Sequence, residues 1–322
     1  MLAVTCTSQS MSDPLTGLTV GERPEPSVPD GWTTVRLRTA ALNHHDVWSL
    51  RGVGLPADRL PMVLGCDGAG VDADGNEVLV HAVVSSPGWA GDETLDPRRS
   101  LLSEVYDGTL AEVVAVPARN LVPKPAGLSW EHAACLPTAW LTAYRMLFTN
   151  ADVQPGSTVL VQGAAGGVAT ALVQLGSAAG LRMWVTSRDE ARGEQALALG
   201  ADQAFSSGAR LPERVDAVME TVGAATWSHS VNSLRPGGTI VISGATSGDA
   251  PAKAELTKIF FKQLRVVGST MGTRDELERL SRFVVDAGIE PLVDSVLPLA
   301  AAREVFEAMA AGRVSGKVVF TI

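Results

Sequence analysis

The chain has 322 residues, about two domains at the usual ~100–200 residues each. Apolar residues make up 46% and charged residues 19%, which excludes a disordered chain and points to packed cores. A formal charge of −9 argues against an electrostatic grip on nucleic acid or an anionic membrane, leaving a soluble enzyme or a small-molecule-binding protein. The cysteines Cys6, Cys66 and Cys135 are odd in number and widely spaced, so no disulfide framework is expected and a reducing cytoplasm fits.

The start, MLAVTCTSQSMSD, has no basic region followed by an apolar core, so no signal peptide is expected. The first ~120 residues read as short strands between Pro/Gly turns, with Trp32–Arg38, Glu77–Val84 and Thr109–Val116 the clearest. From Ser129, a cap with Glu131 in the following turn, the period becomes helical. Val153 to Leu181 is uncharged and contains Gly163-x-x-x-Gly167, the spacing of membrane helix pairs. Glycines, glutamines and a proline break it, and it opens like a strand and closes like a helix, so it does not read as a membrane span.

Strand and helix patterns then alternate. Strands are expected at Thr158–Gln162, Arg182–Thr186, Val215–Glu220, Thr239–Ser243 and Leu264–Ser269, with helices at Val168–Ala179, Glu190–Leu199 and Ala225–Leu234. Such alternation predicts an α/β fold with a doubly wound parallel sheet. Arg274–Ala287 and Ala301–Ala311 read as amphipathic helices, and the closing strand GKVVFTI is expected to return to the first domain, since a terminal strand must find a sheet. The acidic and basic run Asp92 to Arg99 reads as a solvated loop.

The run Gln162-Gly-Ala-Ala-Gly-Gly-Val-Ala169 leads a strand through a glycine-rich turn into a helix, the context in which backbone N–H groups and a helix dipole receive a pyrophosphate. In the register of G-x-G-x-x-G it reads Ala164-x-Gly166-x-x-Ala169, keeping only the middle glycine, so the flanking strand and helix carry the nucleotide-binding assignment. The second strand ends in Ser187 and Arg188 where an NAD-binding protein would place a carboxylate. A hydroxyl and a guanidinium suit a 2′-phosphate and favour NADP(H); the alternative is that Asp189 turns back to the ribose.

LNHHDVWSLRG (Leu42–Gly52), LPMVLGCDGAGV (Leu60–Val71), AACLPTAWLTAY (Ala133–Tyr144), GAAGGVA (Gly163–Ala169) and GKVVF (Gly316–Phe320) together resemble the medium-chain dehydrogenase/reductase superfamily, in particular its zinc-free, quinone-oxidoreductase-like branch. The resemblance spans the chain in order. It implies a GroES-like β-barrel domain from residues 1–124 with 273–322 returning to it, and a Rossmann domain over 125–272. Zinc-dependent members of the family would carry Cys, His and Cys or His where this chain has Asn43, Cys66 and Thr138, a set that does not make a three-ligand catalytic zinc site. His44, His45 and Asp67 are poor substitutes if the two histidines, as neighbours on a strand or turn, point apart. Residues 85–105, where the family's structural zinc lobe falls, contain no cysteine, so no metal is expected.

Without a Lewis acid, hydride addition to a quinone or an activated C=C, which spreads charge over a conjugated system, is easier than polarising a simple carbonyl. The expectation is therefore reduction of a quinone or α,β-unsaturated carbonyl by NADPH. A metal-free carbonyl or alcohol dehydrogenase, a specialised biosynthetic reductase and a non-catalytic NADPH-binding protein are the alternatives. The resemblance places Asn43, Asp46 and Thr138 at the reaction site: Asn43 as donor to the substrate oxygen, Thr138 positioning the nicotinamide and Asp46 organising the pocket. His44 or His45 would supply the proton, and Trp48 and Trp140 an apolar wall. Implied cofactor contacts are Ala164, Ala165, Gly166, Gly167, Val168, Ser187, Arg188, Thr221, Val222, Gly223, Gly244, Ala245, Ser269, Thr270, Met271, Gly272 and Lys317. A homodimer through the apolar edge Leu264–Ser269 is expected from the same resemblance. Two other enzyme classes fail: Thr246 occupies the serine position of a nucleophile elbow, and Leu110 and Phe148 stand where Tyr106 and Tyr144 would need a lysine partner.

Overall fold

Periodicity of two kinds builds two different sheets. The computed structural model describes residues 1–322 and divides into one unit of residues 1–141 with 271–322 and a second of residues 142–270. The breaks fall later than 124 and slightly earlier than 273, because the helix Trp130–Cys135 packs on the first unit, where the Trp130 carbonyl accepts a 2.7 Å hydrogen bond from Thr39 Oγ1.

The first unit is a β fold around a seven-stranded mixed sheet and a small sheet formed by Leu2–Cys6, Leu18–Glu22 and Met62–Val63. In the large sheet the long strand Trp32–Ala41 pairs with Asp67–Asp72, Val113–Pro117 and Lys317–Thr321. The terminal strand thus returns to the first domain: Phe320 lies opposite Ala40, and on its other side the strand runs parallel to Val293–Pro298. Its core joins Val4, Leu42, Leu50, Phe306 and Phe320, each fully buried and each worth about 1.5–3 kcal/mol of transfer free energy for its larger side chains. Two elements differ from the sequence reading. Asn43 to Leu50 is a capped helix rather than a strand or turn, closed by a reciprocal box in which Asp46 accepts from the Asn43 N–H. Asp67–Asp72 is a strand despite its glycines, and at Gly70 a Cβ would collide with the Arg36 carbonyl oxygen, so the pairing there requires glycine.

The second unit is a six-stranded parallel sheet in the order Gln203–Ser206, Arg182–Ser187, Thr158–Gln162, Val215–Glu220, Leu234–Ile242, Arg265–Gly268. Numbered along the chain this is 3-2-1-4-5-6, with the reversal of order between Thr158–Gln162 and Val215–Glu220. Leu160, Trp184, Val218 and Ile240 fill the core between the sheet and its helices. No helix in either unit is long and apolar enough to cross a membrane.

His81 is buried in the first unit, and its Nε2–H donates to the Gly272 carbonyl at 2.9 Å. Burial holds its pKa down at about 4, only partly opposed by that hydrogen bond. The folded state therefore binds its proton less readily than the unfolded chain, and stability should fall by roughly 3 kcal/mol as pH drops from about 6.5 towards 4. Urea titrations across this range should show the slope in the parent protein and a flatter one in His81→Gln, whose amide can still donate to Gly272; an unchanged slope would remove His81 as its source.

Candidate functional site

In the first unit a buried polar cluster forms where the capped helix, the strand Asp67–Asp72 and the terminal strand converge. Lys317 Nζ, almost wholly buried, donates to Leu42 O at 2.8 Å, Asn43 Oδ1 at 2.7 Å and Asp67 Oδ2 at 2.7 Å. The ammonium spends its three protons inside the protein. Asn43 Nδ2 donates in turn to Asp67 Oδ2 at 2.8 Å and reaches Ala41 O only at 3.5 Å, so one amide hydrogen stays weakly engaged. Asp46 is fully buried and accepts from the Asn43 and Gly65 N–H groups at 2.8 and 2.9 Å; burial raises its pKa against the opposing pull of His45, that N–H and Lys317.

The helix start separates the two histidines. His45 lies between Cys66, whose Sγ is 3.5 Å from Nδ1, and Glu104, whose Oε1 is 3.1 Å from Nε2. Burial opposes its charging, but Cys66, Glu104 and Asp46 outweigh burial and hold its pKa well above the ordinary value. At His44, outside this network, desolvation followed by the positive charges of Lys317 and Arg51 lowers the pKa. Of the two, only His45 has neighbours that favour taking up a proton.

Thr138 lies in a π-helical turn, Leu136–Trp140, and its buried Oγ1 has no hydrogen-bond partner, nor does Asp67 Oδ1. Such turns and orphaned polar atoms are concentrated at ligand sites. Trp140 is completely buried and belongs to the core, whereas the ring of Trp48 carries the Arg51 guanidinium 4.9 Å from its centroid.

These residues do not fit a catalytic zinc. No group of three His, Cys, Asp or Glu side chains is arranged to share a metal ion. The Asn43 carbonyl oxygen is taken by an ammonium, which would repel a second cation.

In the second unit the expected cofactor residues fall on one edge. All six strands are parallel, so the segments after Gln162, Ser187, Glu220, Ile242 and Gly268 share the carboxyl edge of the sheet. This brings Ala164–Val168, Ser187 and Arg188, Thr221 and Val222, Gly244 and Ala245, and Ser269 and Thr270 to that edge, while Met271, Gly272 and Lys317 belong to the first unit. Gly163 turns with φ +91°, Gly166 caps the helix Gly167–Ala178 without a side-chain partner, and nothing stands within 4 Å of where a Gly166 Cβ would lie. The uncapped amides and open face are those a phosphate needs. Arg188 is exposed, and Asp189 commits its carboxylate to Ala191 N at 2.9 Å as the cap of the next helix.

Sequence reasoning missed the polar chain beneath this edge. Thr186 Oγ1 donates to Gln162 Oε1 at 2.7 Å, and Gln162 Nε2 donates to Ser230 Oγ at 3.0 Å and His229 Nδ1 at 2.8 Å. Ser230 Oγ reaches Glu220 Oε2 at 2.6 Å, and Glu220 Oε1 accepts from the N–H groups of Val222 and Gly223. Three strand ends are tied at or next to their last residues, and the signal was available as a polar residue near the end of each otherwise apolar strand. Gly223, with φ +92°, lets this loop approach Ala245 and Gly248.

Residues 29–126 match the model of the alcohol dehydrogenase GroES-like domain and residues 167–286 that of the zinc-binding dehydrogenase. An acryloyl-coenzyme A reductase of Metallosphaera sedula is 29% identical, covering 95% of this chain and 96% of its own. A solved NAD-dependent alcohol dehydrogenase superposes with a TM-score of 0.92 at 35% identity over 100% of both chains. The 2-octenoyl-CoA carboxylase reductase CinF, solved with NADP and 2-octenoyl-CoA, gives 0.89 at 25% identity over 99% of this chain and 87% of its own.

Removing Lys317 would strand a buried carboxylate. Lys317→Met should cost about 3–5 kcal/mol in urea unfolding, and the double change Lys317→Met with Asp67→Leu should recover most of it. A loss below about 1 kcal/mol would mean that the pair is solvated after all.

Proposed function

This chain belongs to the medium-chain dehydrogenase/reductase superfamily of NAD(P)-dependent oxidoreductases, and from that premise we propose that it is a zinc-independent, quinone-oxidoreductase-like enzyme. It transfers hydride from NADPH to a quinone or an α,β-unsaturated carbonyl compound. The observation that carries this reading is the Lys317–Asn43–Asp67 cluster, which replaces a metal-ligand set with a buried ammonium and a hydrogen-bonded amide. Negative charge delocalised over a conjugated acceptor needs hydrogen-bond donors rather than a Lewis acid. Asn43 supplies its weakly engaged amide hydrogen, Thr138 its unpartnered hydroxyl, and Asp46 fixes the helix that presents Asn43. His45, whose neighbours favour its taking up a proton, is the proton source in preference to His44. The likeness to an acryloyl-coenzyme A reductase supports an activated C=C as acceptor.

The cofactor is NADP(H), bound at the edge formed by Ala164–Val168, with Ser187 and Arg188 on the 2′-phosphate, while one Asp189 oxygen caps the following helix. CinF, solved with NADP, supports this. A second reading, an NAD-dependent alcohol dehydrogenase acting without metal, is favoured by the likeness at 35% identity. Chelator-treated protein should consume NADPH with at least one member of a panel of quinones, enones and enoyl thioesters, and not with simple ketones. Arg188→Ala should weaken NADPH binding by about 1–3 kcal/mol while leaving NADH nearly unchanged. Activity on ketones alone with NADH, indifferent to Arg188, would select the second reading.

The working form is a homodimer in a reducing cytoplasm. The strand Arg265–Gly268 has a neighbour on one side only, and the helix before it exposes Leu256, Phe260 and Phe261, the last at 74%, beside the half-exposed Val266. A second copy pairing along this edge completes the ladder and covers the aromatics. Light scattering should give twice the chain mass, and Phe260→Ser with Phe261→Ser should halve it; a monomeric parent protein would end the proposal.

A further inference from the structure

Cys66, His45 and Glu104 are in line rather than convergent. Glu104 can only accept, so its 3.1 Å contact requires the proton on His45 Nε2 and leaves the Nδ1 lone pair facing Cys66 Sγ at 3.5 Å. The order thiol, imidazole, carboxylate is that of an activated nucleophile: the ring is oriented by one partner and takes the proton of the other. Leu102 O, 3.2 Å from the sulfur, is a competing acceptor for the thiol proton, while Ser103 Oγ at 3.6 Å can donate to the sulfur once that proton has left. His45 and Glu104 each expose about a fifth of their side chains, while Cys66 lies at the inner end.

The other two cysteines are natural controls. All three are buried to within 1%. Cys6 has only the Ser8 carbonyl and Cys135 only the Glu131 carbonyl as hydrogen-bond partners, and burial pushes their thiols up to about 11 and about 12. None of the three is open to solvent, so no greater surface exposure favours Cys66.

We propose that Cys66 is a nucleophilic thiol, activated by His45 and Glu104, at which the protein captures small α,β-unsaturated carbonyl compounds as thioethers. His45 Nδ1 takes the thiol proton, and the sulfur pair forms the S–C bond at the β-carbon. The C=C π pair moves onto the carbonyl oxygen as an enolate. The proton then passes from His45 to the α-carbon. The sum is addition of S–H across C=C, with nothing oxidised or reduced overall and no co-reactant. The site needs no dinucleotide and does not rest on the reductase reading.

The test treats the full chain, free of dinucleotide, with acrolein and follows peptide masses over time. Cys66 should be modified about tenfold or more faster than Cys6 and Cys135, as expected for a thiol with an adjacent base. His45→Gln should bring the Cys66 rate down to that of the other two. Because His45 is packed, Glu104→Gln is run beside it with melting curves of both, and should slow Cys66 labelling without changing Cys6 or Cys135. Equal rates at all three cysteines, an unlabelled Cys66, or a Cys66 rate untouched by Glu104→Gln in a normally melting protein would overturn the proposal.

Discussion

A buried ammonium decides how the first unit closes. Taking Lys317 out of water costs several kcal/mol, and only a full set of acceptors offsets that cost. The acceptors come from separate parts of the chain: a carbonyl and an amide at residues 42 and 43, and a carboxylate at 67. The cluster therefore exists only when the terminal strand has docked beside Trp32–Ala41 in the observed register. A slip by one residue would turn Lys317 to the other face and leave Asp67 without its cation. The same set of bonds orients Asn43, so closure of the β fold and preparation of the candidate site are one event.

The second unit solves a comparable problem with neutral donors. A parallel sheet buried on both faces ends at its carboxyl edge in backbone groups that need partners. Here Thr186 and Gln162, near the ends of their strands, satisfy one another, and Ser230 links Gln162 to Glu220, which reaches the loop amides of Val222 and Gly223. The loops that carry the expected cofactor residues are thereby fixed from below, while the open face at Gly166 is kept clear by the lack of a side chain.

Much of this was legible in the residues. The alternating apolar segments of the second half gave strands within a residue or two at Thr158–Gln162, Arg182–Ser187 and Val215–Glu220, because a strand buried on both faces has an unambiguous composition. The return of GKVVFTI followed from the need of any strand for a neighbour. Asp67–Asp72 was hidden because its glycines answer to a close backbone approach and not to strand propensity. The helix beginning at His44 was hidden because its cap is a box between Asn43 and Asp46, and the histidines and tryptophan within it dilute the apolar period. The partners of His45 could not be read at all: Cys66 and Glu104 are brought to it by turns, over separations in sequence that no local pattern encodes.

The chain enters the nucleotide-type unit once, after Leu141, and leaves it once, after Thr270. That middle segment is continuous and all but one of its strand pairings join neighbours in sequence, so during synthesis it can finish folding while the first unit is still incomplete. The first unit must wait for the strand Lys317–Thr321 to be made and to pair with Thr39–Ala41, far earlier in the chain. Until then Asp67 and the apolar face around Ala40 are uncovered, and a chain truncated by only a handful of C-terminal residues would emerge with one finished half and one that cannot close.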